Sequence, residues 1–132
     1  MIYGIGIDIT HIPEFLNAWK EPGTTFFDKY FTVKEIEYCR SKGEKQLANH
    51  FAARYAAKEA LVKALDSPKL YSPQLLKIDF RDMEVLNDPN GRPFMKVYNN
   101  LKEYLSRENI GKIFVSLSHV EEYAIAQVIL ET

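Results

Sequence analysis

A chain of 132 residues with 17 basic and 18 acidic side chains, net charge -1, has the length of one domain and no global field to steer it to nucleic acid or a membrane surface. Apolar residues make up 46% and aromatic ones 13%, which excludes a disordered chain and supplies a core without disulfide or metal staples. Cys39 is alone, so no intramolecular disulfide can form, a cysteine-based zinc site is not expected, and a reducing cytoplasmic setting is. No apolar run approaches membrane-spanning length. The N-terminus, with no basic region ahead of its apolar residues, reads as a strand and not as a signal peptide.

Met1–Asp8 alternates with period two, placing Ile5, Ile7 and Ile9 on one face and Gly4, Gly6 and Asp8 on the other. Glycine inside a strand marks a close approach by another backbone or a ligand. Thr10 is positioned to cap a short helix around Ile12–Trp19, which has Pro13 in its first turn and ends at Glu21-Pro22-Gly23. Phe26–Phe31 reads as an aromatic turn region. Thr32 and Glu35 match a capping box for a helix to Arg40 or Ser41, stopped by Gly43. A long helix follows, from near Glu44 to Leu65. Ser67–Pro73 is a loop, Leu75–Leu86 strand-like, and Asn87–Pro93 a turn into a strand over Phe94–Val97. Asn99–Glu108 is a polar, Leu-spaced helix. Lys112–Ser118 is a strand, His119–Glu122 a connection, and Tyr123–Leu130 the final strand. Helices mixed with hairpins argue an α+β fold.

On a helical wheel of the long helix, Leu47, Phe51, Leu61, Val62 and Leu65 form a large apolar face. Ala53, Ala57, Ala60 and Ala64 form a small-residue face. Glu59 and Lys63 share a third stripe with Ala52 and Ala56, which leaves space above both charges. Arg54 and Lys58 fall within the large apolar face, where a fully solvated charge is not expected. The plain reading of Glu59 and Lys63 is an i,i+4 surface ion pair, and of Asp8 a strand-end group bonding local N–H donors. The sharper reading sets Asp8 and Glu59 around one hard cation: magnesium takes one or two carboxylates, waters and phosphate oxygens, and Lys63 would face the phosphates. Ser118 and His119 at a strand end suit phosphate binding, or are simply a polar strand end with His119 bonded to a carbonyl. Between Arg40 and Lys63 six basic side chains stand against two acidic ones, either a solvated helix start or a patch for an acidic partner or polyphosphate.

In this order, Gly4-Ile-Gly-Ile-Asp8-Ile, Phe31-Thr-Val-Lys-Glu35, Arg54-Tyr-Ala-Ala-Lys-Glu59-Ala-Leu-Val-Lys63-Ala, Asp82-Met-Glu84-Val, Asn90-Gly-Arg-Pro93 and Ser116-Leu-Ser-His119 resemble holo-[acyl-carrier-protein] synthase, the small bacterial 4'-phosphopantetheinyl transferase family. The resemblance covers nearly the whole chain. It implies one α+β domain over residues 1–132, with an antiparallel-type sheet packed by one long and several short helices. It also implies a homotrimer with active sites at subunit interfaces, magnesium as cofactor, coenzyme A as co-substrate and an acyl carrier protein as partner, in support of fatty acid biosynthesis.

Carried over by motif, Asp8 and Glu59 are the metal carboxylates and Glu59 and Lys63 the catalytic pair. Lys63, Arg54, Lys58, Ser118 and His119 are the coenzyme contacts. The chain departs from the family at Glu14, where members carry a basic residue associated with docking the acidic carrier protein. It departs again in the glycine-free loop Asp66–Pro73. Two other functions are open to the same residues: a magnesium-dependent phosphohydrolase that needs no carrier protein, and a coenzyme A-binding or trimeric interaction module that turns nothing over.

Overall fold

A computed structural model describes residues 1–73 and 77–132. The chain runs β1 (Ile2–His11), α1 (Ile12–Lys20), α2 (Phe26–Tyr30), α3 (Val33–Ser41), α4 (Glu44–Asp66), β2 (Met83–Asn87), β3 (Pro93–Val97), α5 (Asn99–Arg107), β4 (Lys112–Val120) and β5 (Tyr123–Glu131). Two antiparallel sheets result, a three-stranded one in the order β1-β5-β4 and the hairpin β2-β3. The fold is α+β, with α4 lying across the inner face of the larger sheet.

Period two in β1 explains how α4 comes so close. Gly4 and Gly6 face the helix, where Cβ atoms would lie 1.9 Å from the carbonyl oxygens of Ala64 and Ala60. The glycines of the strand and the small-residue face of the helix are therefore two halves of one backbone-to-backbone contact. Ala126, Val128 and Leu130 of β5 continue this inner layer, joined by Leu61 and Leu65 of α4, Met83 and Val85 of β2 and Leu101 and Leu105 of α5. Around the first half of α4, Ile12, Phe15, Phe27, Phe31, Cys39 and Phe51 form a second apolar cluster.

Several elements differ from their sequence reading. Thr10 does not cap α1: it is buried and donates to Asp8, and the helix begins after His11 without a side-chain cap. Phe26–Tyr30 is a short helix and not a turn, because its rings are gathered by Phe15, Trp19 and Phe51. The strand expected over Leu75–Leu86 is confined to Met83–Asn87. Residues 75 and 76 lie outside the described residues, and Asp79 caps a 3-10 turn over Phe80–Asp82 by accepting from the Arg81 amide. His119 and Val120 belong to β4, so the connection to β5 is only Glu121 and Glu122. The capping box is as read: Thr32 Oγ1 accepts from the Glu35 amide and Glu35 accepts from the Thr32 amide.

Candidate active site at the edge of β1

β1 is an edge strand of the larger sheet, and its last turn before α1 opens onto a groove of about 630 Å³. Asp8, Thr10 and His11 come from β1, Glu14, Phe15 and Ala18 from α1, Phe26 from α2, and Tyr55 and Glu59 from α4. The two carboxylates singled out in the sequence therefore meet in one groove. They do so because the glycine–alanine contact draws α4 against β1, with Glu59 beside Ala60 and Asp8 two residues beyond Gly6.

Asp8 is held from both sides. Its Oδ2 accepts from Thr10 Oγ1 at 3.0 Å, and its Oδ1 accepts from Lys63 Nζ at 3.2 Å. Lys63 also donates to the Ile7 carbonyl at 3.0 Å. The plain reading of Lys63 as the i,i+4 partner of Glu59 is thus replaced by a contact to the strand. The Lys63 side chain is 54% exposed, so its ammonium meets solvent as well as Asp8.

Tyr55 precedes Glu59 by one helical turn, and the sequence reading gave it no role. Its ring sits 5.3 Å from Phe15 and 5.8 Å from Tyr30, centroid to centroid, while its side chain lines the groove. Burial, then the negative charge of nearby Glu59, push the Tyr55 hydroxyl up to about 12. The available signal was its i,i+4 spacing from Glu59.

Arg54 and Lys58 lie elsewhere. Lys58 is fully buried, and its ammonium donates to Glu35 Oε1 at 2.6 Å, to the Tyr30 carbonyl at 2.6 Å and to the Phe80 carbonyl at 3.0 Å. All three N–H donors are used, so in this arrangement none is left for a coenzyme phosphate. Burial pulls the Lys58 pKa down, against the opposing pull of Glu35. Arg54 is buried too, with one terminal nitrogen on Asn87 Oδ1 at 2.7 Å and its guanidinium 4.3 Å from the centre of the Tyr38 ring. Its Nε is buried without a partner. The odd place of both cations on the helical wheel is accounted for by these internal partners.

Ser118 and His119 are not brought to Asp8 within one chain. They lie on β4, at the opposite edge of the sheet. Register pairs Ser118 with Ile125 and Ile125 with Ile9, which puts Ser118 on the outer face, away from α4. His119 pairs with Ala124 on the inner side, and its charge reaches His50 on α4.

Asp8 and Glu59 offer hard oxygen donors on two rigid elements, with room between them and solvent. Among the described residues no three His, Cys, Asp or Glu assemble into a complete cage. Such a donor set fits an ion that keeps waters and takes its remaining oxygens from a substrate phosphate, as magnesium does.

Residues 4–128 match the family described as the 4'-phosphopantetheinyl transferase superfamily. A holo-[acyl-carrier-protein] synthase of Geobacter sp. (strain M21) is 42% identical over 131 residues, 99% of each chain. Among solved structures, the ACPS-CoA complex of Chronobacterium ammoniagenes superposes with a TM-score of 0.86 at 31% identity, covering 96% of this chain and 95% of that one. The holo-[acyl-carrier-protein] synthase of Neisseria meningitidis superposes with a TM-score of 0.83 at 29% identity, covering 100% of both chains. With a match that spans nearly its whole length, this chain belongs to the 4'-phosphopantetheinyl transferase superfamily.

Proposed function

We propose that this protein transfers the 4'-phosphopantetheine group from coenzyme A to a serine of an apo acyl carrier protein, in support of fatty acid biosynthesis. The products are the holo carrier protein and adenosine 3',5'-bisphosphate. The observation that carries this reading is the convergence of Asp8 and Glu59 on one groove, with Lys63 paired to Asp8, in a chain of this superfamily. Relatives named holo-[acyl-carrier-protein] synthase and the relative solved with CoA support it.

The serine oxygen attacks the phosphorus that bears the pantetheine. A new P–O bond forms there, and the bond to the bridging pyrophosphate oxygen breaks. The nucleophile belongs to the partner, so this chain needs no Ser-His-Asp triad. Asp8 and Glu59 would hold magnesium, which supplies charge neutralisation at the pyrophosphate. Lys63, half-exposed and paired with Asp8, moves its ammonium from Asp8 to the phosphate oxygens as their charge grows. Glu59, acting through a water, is the candidate acceptor of the serine proton.

A homotrimer with its sites between subunits belongs to the same reading. Ile5, Ile7, Ile9, Phe114 and Val120 leave the outer face of the larger sheet apolar and open. Ser118 lies on that same face, so a second copy packed there would bring Ser118 and His119 toward the groove of the first. The cytoplasmic setting also belongs to it, in keeping with the buried, unpaired Cys39.

The test is the intact mass of a bacterial apo acyl carrier protein after incubation with this protein, coenzyme A and magnesium. A gain of one phosphopantetheine, abolished by EDTA, is expected. Coenzyme A bound without any gain would point to a binding module. Coenzyme A cleaved in the absence of carrier protein would point to a phosphohydrolase.

A further inference from the structure

β1 is an edge strand, yet part of its free edge is occupied. In an antiparallel pair the backbone groups of alternate residues face the partner strand, and those of the residues between them face outward. The outward set in β1 includes the Ile5 amide and the Ile7 carbonyl. The Ile5 amide donates to Ser67 Oγ at 3.2 Å, and the Ile7 carbonyl accepts from Lys63 Nζ at 3.0 Å. Two residues along a strand cover about 6.7 Å and four along a helix about 6 Å, so Ser67 and Lys63 keep step with Ile5 and Ile7 as two rungs.

Ser67 is itself held in place. It caps the C-terminal end of α4, with its amide donating to the Lys63 carbonyl at 2.9 Å and its hydroxyl to the Ala64 carbonyl at 3.2 Å. The hydroxyl proton is therefore used on the helix, and the oxygen lone pairs are left for the Ile5 amide. Gly4 makes the room: a Cβ there would stand 2.7 Å from Ser67 Oγ. Two residues on, Lys69 is paired with Glu108, whose Oε1 also accepts from the Tyr3 hydroxyl at 2.8 Å. The segment that follows α4 is thus fastened to the start of β1. Lys63 spends one N–H on the Ile7 carbonyl and one on Asp8, and its third has no partner among the described residues.

We propose that Ser67 is a positioning residue for Lys63: by tying the Ile5 amide to the end of α4 it fixes the Ile7 carbonyl, the pivot on which the Lys63 ammonium turns toward phosphate. This rests on the reading of Lys63 as the phosphate contact in the transfer. The glycine–alanine contact sets how close strand and helix lie. The Ser67 rung sets where the outer edge of the strand stands against Lys63. With one N–H kept on the Ile7 carbonyl, the ammonium exchanges Asp8 for a phosphate oxygen without leaving its place.

The test is Ser67→Ala, which removes one oxygen and leaves the backbone of the cap. Deuterium exchange at the Ile5 amide, followed by NMR, reads the rung directly and should quicken at least about tenfold. Phosphopantetheine transfer should lose about tenfold in kcat, because small misplacements of a group that meets the reacting centre are costly. The KM for carrier protein and the urea midpoint should stay as in wild type, since the bond is exposed. In a Lys63→Met background, adding Ser67→Ala should slow transfer no further. Ser67→Thr, which returns the hydroxyl, should restore both slow exchange and kcat. Wild-type kcat in Ser67→Ala with the Ile5 amide freed overturns the proposal. So does a loss that adds in full to that of Lys63→Met, or one that merely follows a fall in stability. Lys63→Met that transfers at the wild-type rate, or wild-type protein that transfers nothing, overturns the reading of Lys63 itself, and the role of Ser67 falls with it.

Discussion

Gly6 and Ala60 touch through their backbones: a Cβ on Gly6 would stand 1.9 Å from the Ala60 carbonyl oxygen and 2.8 Å from the Ala64 amide nitrogen. Neither obstacle is a flexible side chain, so relief requires moving α4 off β1. Gly6→Ala should therefore destabilise by about 3 kcal/mol, the upper range for overpacking. Because the same contact sets Asp8 against Glu59, transfer should fall further than the loss of folded protein explains. Urea denaturation and single-turnover transfer on the same preparation separate the two effects. A variant with wild-type stability would mean that the strand and helix are not locked as described.

Lys58 and Lys63 lie on the same helix, five residues apart, and should respond in opposite ways. Lys58→Met leaves the Glu35 carboxylate buried without its cation, and breaking a buried pair costs about 3–5 kcal/mol. Where the protein still folds, its turnover per folded molecule should stay near wild type. Lys63→Met removes a half-exposed contact worth at most about 1 kcal/mol, so stability should hardly change. Its kcat should fall about a hundredfold or more, as for other donors that meet developing charge. Circular dichroism melts together with the carrier-protein mass assay read both. The reverse pattern would make Lys58 the substrate contact after all.

Which of these features can be seen in the sequence depends on how local their cause is. The Thr32–Glu35 capping box spans three residues, and the Gly4/Gly6 alternation and the alanine stripe of α4 are each legible in their own segments. So is the likelihood of an unusual setting for Arg54 and Lys58. Their partners are not legible, because Tyr30, Glu35, Phe80 and Asn87 come from three separate stretches of chain that only tertiary packing gathers. The Phe26–Tyr30 helix is too short to show a period, and its rings are ordered by α1 and α4. Asp8 and Glu59 are legible as a possible cation pair from their own segments, and the resemblance favours that reading over the plain one. Ser118 could be placed at a strand end but not on a face, since β4 runs two residues further than its turn signals suggest.

Asp8→Asn and Glu59→Gln keep size and hydrogen-bonding capacity while removing the charge each would present to a divalent cation. Both should fold normally and lose at least about a hundredfold in transfer. Raising magnesium should recover part of the loss in each, because weakened ion binding is the defect. Either variant retaining near-full turnover across a magnesium titration would remove that residue from the metal site.

His50 lies beside Tyr38, with ring centroids 5.5 Å apart. Burial first, then the positive charges of Arg54, Lys42 and His119, lower its pKa from 6.5 to about 4. Between those two values the unfolded chain binds more protons than the folded one, so stability rises with pH across that window. The contribution is fully present above about pH 6.5 and is lost as pH falls toward 4. After discounting for partial exposure it amounts to roughly 1–2 kcal/mol. Between pH 7.5 and 5, wild type should lose about 1 kcal/mol more in urea denaturation than His50→Gln. Parallel losses in the two proteins would show that His50 does not carry the acid sensitivity.

Ile7 stands 58% exposed at the middle of the outer sheet face, between Ile5 and Ile9 at 51% and 60%. Phe114 and Val120 on β4 carry the same apolar surface to the far edge. Three adjacent isoleucines left open on an edge strand invite self-association. Ile7→Glu places a charge there without touching α4, since its side chain points away from the helix. The protein should keep its circular dichroism spectrum, while light scattering after size exclusion should show the proposed trimer reduced to single chains. Transfer should fall with it, because in the proposed trimer Ser118 and His119 would reach a groove only from another copy. Adding Ser118→Ala and His119→Ala to Ile7→Glu should then cost almost nothing more, whereas the same two changes in the otherwise wild-type protein should slow the reaction. A trimer that survives Ile7→Glu with full activity would locate the interface on another face. Single chains that remain fully active would show that each groove is complete by itself.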